Sequence, residues 1–162
     1  MFSVFIGYIL ELDERTKSVL IETSNGNTRI SEELFNFRQQ LDFHEENIPE
    51  DDLTTWNELQ QKGVLFFTET MDELYDSIKS TYPSRQGVIF KSEKYSCIVL
   101  GELPIEIVKL QSFIWKSADG KRNLGEVFNK AKSKNFLNDT NLVHDFVENV
   151  IGLVRAGILT LK

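Results

Sequence analysis

Apolar positions along this chain switch between a period of two and a period near 3.6, and the switches mark its elements. Phe2 to Leu10 and Ser18 to Thr23 are rich in β-branched and aromatic residues. The charged turn Asp13-Glu14-Arg15 between them predicts a hairpin. Ser24-Asn25-Gly26 is a second hairpin signal, because Asn-Gly readily takes positive φ, and Asn27 to Ile30 follows as a short strand. Ser31 then suits a helix N-cap, with Glu32 and Glu33 at the positive helix start and Leu34, Phe35, Phe37 and Leu41 inward. Asp42 to Pro49 is polar and predicts a loop. Pro49 opens a helix with Leu53, Trp56 and Leu59 inward, Gly63 ends it, and Val64 to Phe67 returns as a strand. Met71, Leu74, Tyr75 and Ile78 recur at helical spacing up to Pro83.

The second half repeats the order of the first. Gly87 to Phe90 and Ser96 to Leu100 predict strands joined by the polar turn Lys91 to Lys94. After a break at Gly101 to Pro104, Ile105 to Val108 reads as a third strand running into a helix with Leu110, Phe113, Ile114 and Trp115. Asp119-Gly120 turns the chain, Asn123 caps a helix with Leu124, Val127 and Phe128 inward, and Asp139 or Thr140 is the expected cap of the last helix. In that helix Leu142, Val143, Phe146, Val147, Val150, Ile151, Leu153 and Val154 fill an arc of about 180° at roughly 100° per residue. One docking contact needs little more than about 100°. The excess implies either a helix wedged between two layers of the chain or a stripe that floors a groove. Gly157 closes the helix before Ile158-Leu159-Thr160-Leu161. LTTWNELQQKGVLF from Leu53 and FVENVIGLVRAGIL from Phe146 form a weak internal repeat, the front copy lacking a middle helix.

The expected class is therefore α+β, as two winged-helix-like units, each a small antiparallel sheet followed by two or three helices. Residues 1–68 form a degenerate front unit, 69–84 a linking helix and 85–162 the back unit. Charge supports the division. Residues 1–83 hold 17 acidic and 6 basic side chains, and residues 84–162 hold 8 and 12, so a front half at −11 and a back half at +4 make up the overall −7.

Chemistry is sparse. His44 and His144 lie in different halves beside carboxylates, and Cys97 sits in a predicted strand as an ordinary buried thiol. Phosphate-binding loops, zinc-protease motifs and nucleophile elbows do not occur. Glu45-Glu46 and Glu50-Asp51-Asp52 lack the spacing of a calcium loop. No catalytic residue, cofactor or metal is expected. One cysteine and the absence of membrane-length apolar runs or signal-peptide flanks fit a cytoplasmic chain without a membrane partner.

The run IEIVKLQSFIWKSADGKRNLGEVF from Ile105 to Phe128 resembles the core of the PqqD-like precursor-peptide recognition domains. The matching features are Phe113-Ile114-Trp115, Asp119-Gly120-Lys121-Arg122, the Asn-Leu-x-Glu-Val helix start and the Gly157-Ile158-Leu159 ending. The resemblance covers about residues 87–162 and more faintly 1–68. It implies a non-catalytic protein that binds the leader of a ribosomal precursor peptide and presents it to a modifying enzyme. By that resemblance the leader adds as a strand to Ile105, Glu106, Ile107 and Val108, against a wall of Val143, Val147, Val150 and Val154. Replacing Val147 or Val150 by Asp is then expected to abolish capture and spare the fold. The acidic front half is a departure from the family. It is expected to bind peptide, dock the enzyme or cover an edge strand.

Two rivals stay open. Lys116, Lys121, Arg122, Lys130, Lys132 and Lys134 form a basic zone compatible with a winged-helix DNA-binding regulator. Against it, the last helix offers Asp145 and Glu148, with Arg155 only at its end, where a groove reader carries basic or amide side chains. A generic protein-interaction adaptor is the other rival.

Overall fold

Gly7 splits the first apolar run into strands that serve different sheets. The computed structural model describes residues 2–23, 25–40, 50–91, 96–137 and 140–162. Where the pattern predicts one strand from Phe2 to Leu10, β1 (Phe2–Phe5) ends, the backbone turns through Gly7 at φ +105°, and β2 (Tyr8–Asp13) begins. A Cβ at Gly7 would collide with Ile21 Cγ2 and lie 2.9 Å from Glu22 O, so only glycine fits this approach. β2 pairs with β3 (Ser18–Thr23), and β3 with β4 (Gly26–Ser31), all antiparallel. Ser31 Oγ accepts from Leu34 N–H at 3.1 Å and starts α1 (Glu32–Gln40) as expected. The predicted inward Leu41 and the loop to Pro49 lie outside the described residues. α2 (Glu50–Gln61) buries Trp56 and Leu59, but Leu53, predicted inward, is 44 % exposed. β5 (Leu65–Thr68) then pairs with β1.

α3 (Met71–Ile78) is held by a reciprocal cap. Thr70 Oγ1 accepts from Glu73 N–H, and Glu73 Oε2 accepts from Thr70 N–H. The three-residue β6 (Pro83–Arg85) was not anticipated, since a short segment with proline carries almost no strand signal. β7 (Val88–Lys91), β8 (Ser96–Leu100) and β9 (Leu103–Ile107) form an antiparallel meander, and α4 (Lys109–Ser117), α5 (Leu124–Ser133) and α6 (Leu142–Arg155) follow. β9 starts two residues before the predicted Ile105 and excludes Val108, the N-cap of α4. The predicted turn between β7 and β8 falls largely outside the described residues. α6 is capped by Asn141, whose Oδ1 accepts from His144 N–H, rather than by Asp139 or Thr140. β10 (Leu159–Leu161) pairs with β6. The protein is thus mixed α+β, built from small antiparallel sheets and six described helices.

The weak sequence repeat is a repeat of backbone geometry. Each half frames a three-stranded meander and its helices with a two-stranded ribbon, β1–β5 in front and β6–β10 behind. Gly87, at φ +84°, occupies the position of Gly7. A Cβ there would sit 2.7 Å from Val99 O and 2.8 Å from Ile98 Cγ2 on the central strand, as at Gly7 with Glu22 and Ile21. Gly63 and Gly157, at φ +69° and +72°, end α2 and α6 with the same bond. Val64 N–H donates to Leu59 O and Ile158 N–H to Leu153 O, both at 3.1 Å. Registers agree as well. Phe5 faces Leu65 and Arg85 faces Leu159, in each case two residues before the first glycine and two after the second. The matching bonds Ile6 N–H to Val64 O and Gln86 N–H to Ile158 O measure 3.1 and 3.0 Å.

Two cores result, and the β1–β5 ribbon lies between them. Val4 and Ile6 join a large core with α3 and the three back helices. Phe5 points the other way with Leu65 and Phe67, onto a smaller core of Val19, Ile21, Ile30, Trp56 and Leu59. α6 lies against α3, α4, β1 and β10, whereas α2 lies chiefly against β5. That difference accounts for Leu53. With Gly63 matched to Gly157, its counterpart is Val147, one place beyond the start of the second run, and it is fully buried because α6 is covered on more sides.

Candidate functional site

The β8–β9 hairpin sets what the chain offers at β9. Leu100 faces Leu103 across the two-residue turn Gly101-Glu102, with Gly101 at φ +67°. Such a hairpin closes on a hydrogen-bonded pair, and pairs then alternate. Ile105 and Ile107 therefore direct their backbone groups toward β8, and Pro104 and Glu106 direct theirs outward. Proline fits this phase, because it has no N–H to give to β8. β9 pairs with β8 alone among the described strands. Its outer edge thus presents Pro104 C=O and both backbone groups of Glu106. The next donor, Val108 N–H, is taken at 3.1 Å by Gln111 Oε1.

Side chains divide accordingly. Ile107 is buried and Ile105 half-buried on the core face, while Pro104, Glu106 and Val108 are exposed. The expected wall on α6 is a different matter. Val147 and Val150 have no exposed surface, and Val143 and Val154 are half-buried against the large core. Of the two readings of the broad stripe, the wedged helix holds for Val147 and Val150. The correction has a plain cause: α6 meets chain on several sides, so Val147 and Val150 are consumed internally, while Val143 and Val154 keep part of their surface. What α6 turns toward the β9–α4 corner is Gly152, where a Cβ would stand 3.4 Å from Gln111 Nε2. Glu148, Asn149, Arg155 and Ala156 share that helical face. Gln111, Gly152 and Pro104 are residues that sequence reasoning missed. The only available signals were a proline at a strand start and a glycine inside the polar arc of a helix.

The residues that carry the resemblance to peptide-recognition domains fix the scaffold behind this edge. Trp115 is 4 % exposed, its Nε1–H donates to Gln86 O at 2.9 Å, and the Arg85 guanidinium lies 5.3 Å from its ring. Phe113 stacks on Phe136 with centroids 4.6 Å apart. In the Asp119-Gly120-Lys121-Arg122 turn, Asp119 Oδ1 accepts from the N–H groups of Lys121 and Arg122 at 3.0 and 3.3 Å. Those bonds, the Lys121 one foremost, hold its carboxyl below the ordinary aspartate value of 3.8. Gly120 N–H donates to Pro83 O and Arg85 N–H to Ala118 O, tying the turn to β6. Asn123 and Glu126 form the capping box that starts α5.

Among the described residues no three His, Cys, Asp or Glu side chains gather as metal ligands, and no helix is long and apolar enough to cross a membrane. Cys97 is a free, half-buried thiol on β8. His144 stands 3.9 Å from Glu148 on the surface of α6, and His44 lies outside the described residues. No family model matches this chain, and no curated protein or solved structure matches it.

Proposed function

We propose that this is a non-catalytic, cytoplasmic protein of two winged-helix-like units that captures the leader of a ribosomal precursor peptide and presents it to a separate modifying enzyme. The observation that carries the reading is the outer edge of β9, unpaired among the described strands and offering two acceptors and one donor. An extended guest satisfies these groups through its own backbone, and its alternate side chains select for sequence. The resemblance at Phe113 to Phe128 supports the same edge. The guest then passes the polar face of α6 around Gly152 instead of Val147 and Val150.

Backbone capture separates from side-chain capture by substitution at one position. The probe is a fluorescein-labelled synthetic peptide copying the leader segment of a short precursor reading frame beside this chain's gene. Glu106→Pro removes the outward N–H and leaves the bonds to β8 in place. Polarisation titration is expected to show binding weakened at least about fivefold, the worth of one hydrogen bond of about 1 kcal/mol. Glu106→Gln, which keeps the backbone, is expected to bind as the wild type does. Equal affinity of the wild type and Glu106→Pro refutes the reading.

A further inference from the structure

A second edge, on β2, carries features that the β9 reading does not use. β2 pairs with β3 alone among the described strands, and four of its six side chains are large, apolar and exposed: Tyr8, Ile9, Leu10 and Leu12. Ile9 stands opposite Ile21 and Leu12 opposite Val19, two residues buried in the small core. Cross-strand partners share a face, so Ile9 and Leu12 both point to the core side of the sheet. A bulge between Ile9 and Glu11 lets residues three apart do so. Yet they remain 37 and 64 % exposed, so the helices cover β3 and β4 and leave this margin bare.

A cavity opens at each end of the bare margin. At Tyr8 and Ile9 lies one of about 330 Å³, where the front half meets the back and Phe5, Leu100, Val154 and Leu159 supply apolar walls. At Leu12 lies one of about 470 Å³, floored by Leu12, Val19 and Phe35 and rimmed by Asp13, Glu14 and Glu32, with Lys17 the one base in its lining. Glu14 and Glu32 are exposed and make no ion pair among the described residues. An apolar floor under a carboxylate rim suits the long stem and charged head of a lysine or arginine.

We infer that β2 is a second strand-docking edge, and that its occupant is an extended segment of a partner protein carrying a large apolar residue and, about four positions on, a Lys or Arg. Two positions of that spacing fall on one face of a strand, the face that Ile9 and Leu12 share. Charge selects the partner over a second copy of this chain. Self-pairing would bring together two front halves that each hold 17 acidic against 6 basic side chains, whereas a basic segment meets complementary charge.

The test is selection of phage-displayed random nonapeptides on the intact protein. Enrichment of an apolar residue at one position with Lys or Arg about four residues later is expected. In the double variant Glu14→Lys/Glu32→Lys the basic preference should reverse to acidic, and in Leu12→Lys the pair should be lost. All three sites are exposed, and circular dichroism of the variants checks that each folds. Glu106→Pro should leave the enrichment intact, which separates this edge from the one on β9. Selection without that pair, or a preference that survives both β2 variants, overturns the inference. A concentration-dependent dimer in sedimentation that Leu12→Lys abolishes overturns it too and assigns the edge to a second copy.

Discussion

Single residues at the two central-strand approaches carry much of the fold. Gly7 combines positive φ with a backbone carbonyl and a core isoleucine where a Cβ would stand, whereas Gly26, also at positive φ, has nothing within 4 Å. Gly7→Ala is therefore expected to cost about 2–4 kcal/mol, strain plus overpacking, and Gly26→Ala about 1 kcal/mol. Urea unfolding of the two variants reads the difference, and equal midpoints would refute the close approach. Asp119 allows a prediction in pH. Its folded carboxyl titrates below the ordinary value of 3.8, so its contribution is complete above that value and fades as pH falls through the lower folded one. Asp119→Asn keeps an oxygen for the Lys121 and Arg122 amides but cannot titrate. Its stability is expected to fall less steeply than that of the wild type below pH 3.8, as followed by thermal melts across that range. The Asp-Gly turn was legible as a turn, but its attachment to β6 was not, because Pro83 and Ser84 lie more than thirty residues earlier.

At the scale of elements, α6 shows how a pattern is read and misread. Its apolar arc and its glycine stop follow from residue type and period, since amphipathicity and a left-handed C-terminal residue are local properties, whereas its cap is Asn141 and not the expected Asp139 or Thr140. Which part of the arc faces a partner is not local. Val147 and Val150 are enclosed by neighbouring elements, so Val147→Asp puts a carboxylate where no water reaches. The expected outcome is loss of the native fold, because an unpaired buried charge costs about 3–5 kcal/mol or more out of a total of about 5–15. A cooperative melt near the wild-type temperature would show that α6 does have an open side there. β9 is the complementary case. Its period-two pattern was visible, while its outward donors and acceptors emerged only once pairing with β8 set the phase.

Across the whole molecule, the shared β1–β5 ribbon makes the two cores interdependent. Successive residues of β1 enter opposite cores, so neither half can lose this layer and stay packed. Each core also holds one tryptophan, Trp56 at 1 % and Trp115 at 4 % exposure. The single-tryptophan variants Trp56→Phe and Trp115→Phe are expected to report coincident denaturant transitions, the mark of one cooperative unit. Separate midpoints would mean that the ribbon does not couple the cores. The charge split now has a place as well: the acidic half bears the β2 margin, and the junction cavity is walled by both halves.

From the order of its residues alone this chain specified an α+β composition, most strand and helix limits, the repeated helix–glycine–strand ending and the caps at Ser31 and Asn123. All of these rest on interactions within a few residues, which a sequence displays directly. Folding in three dimensions decided the rest: the break at Gly7, the pairing of β6 with β10, the burial of Val147 and Val150, and the two bare margins on β2 and β9. Those outcomes depend on which distant segments reach a given face first and cover it, and no local pattern encodes the neighbour that arrives from eighty residues away.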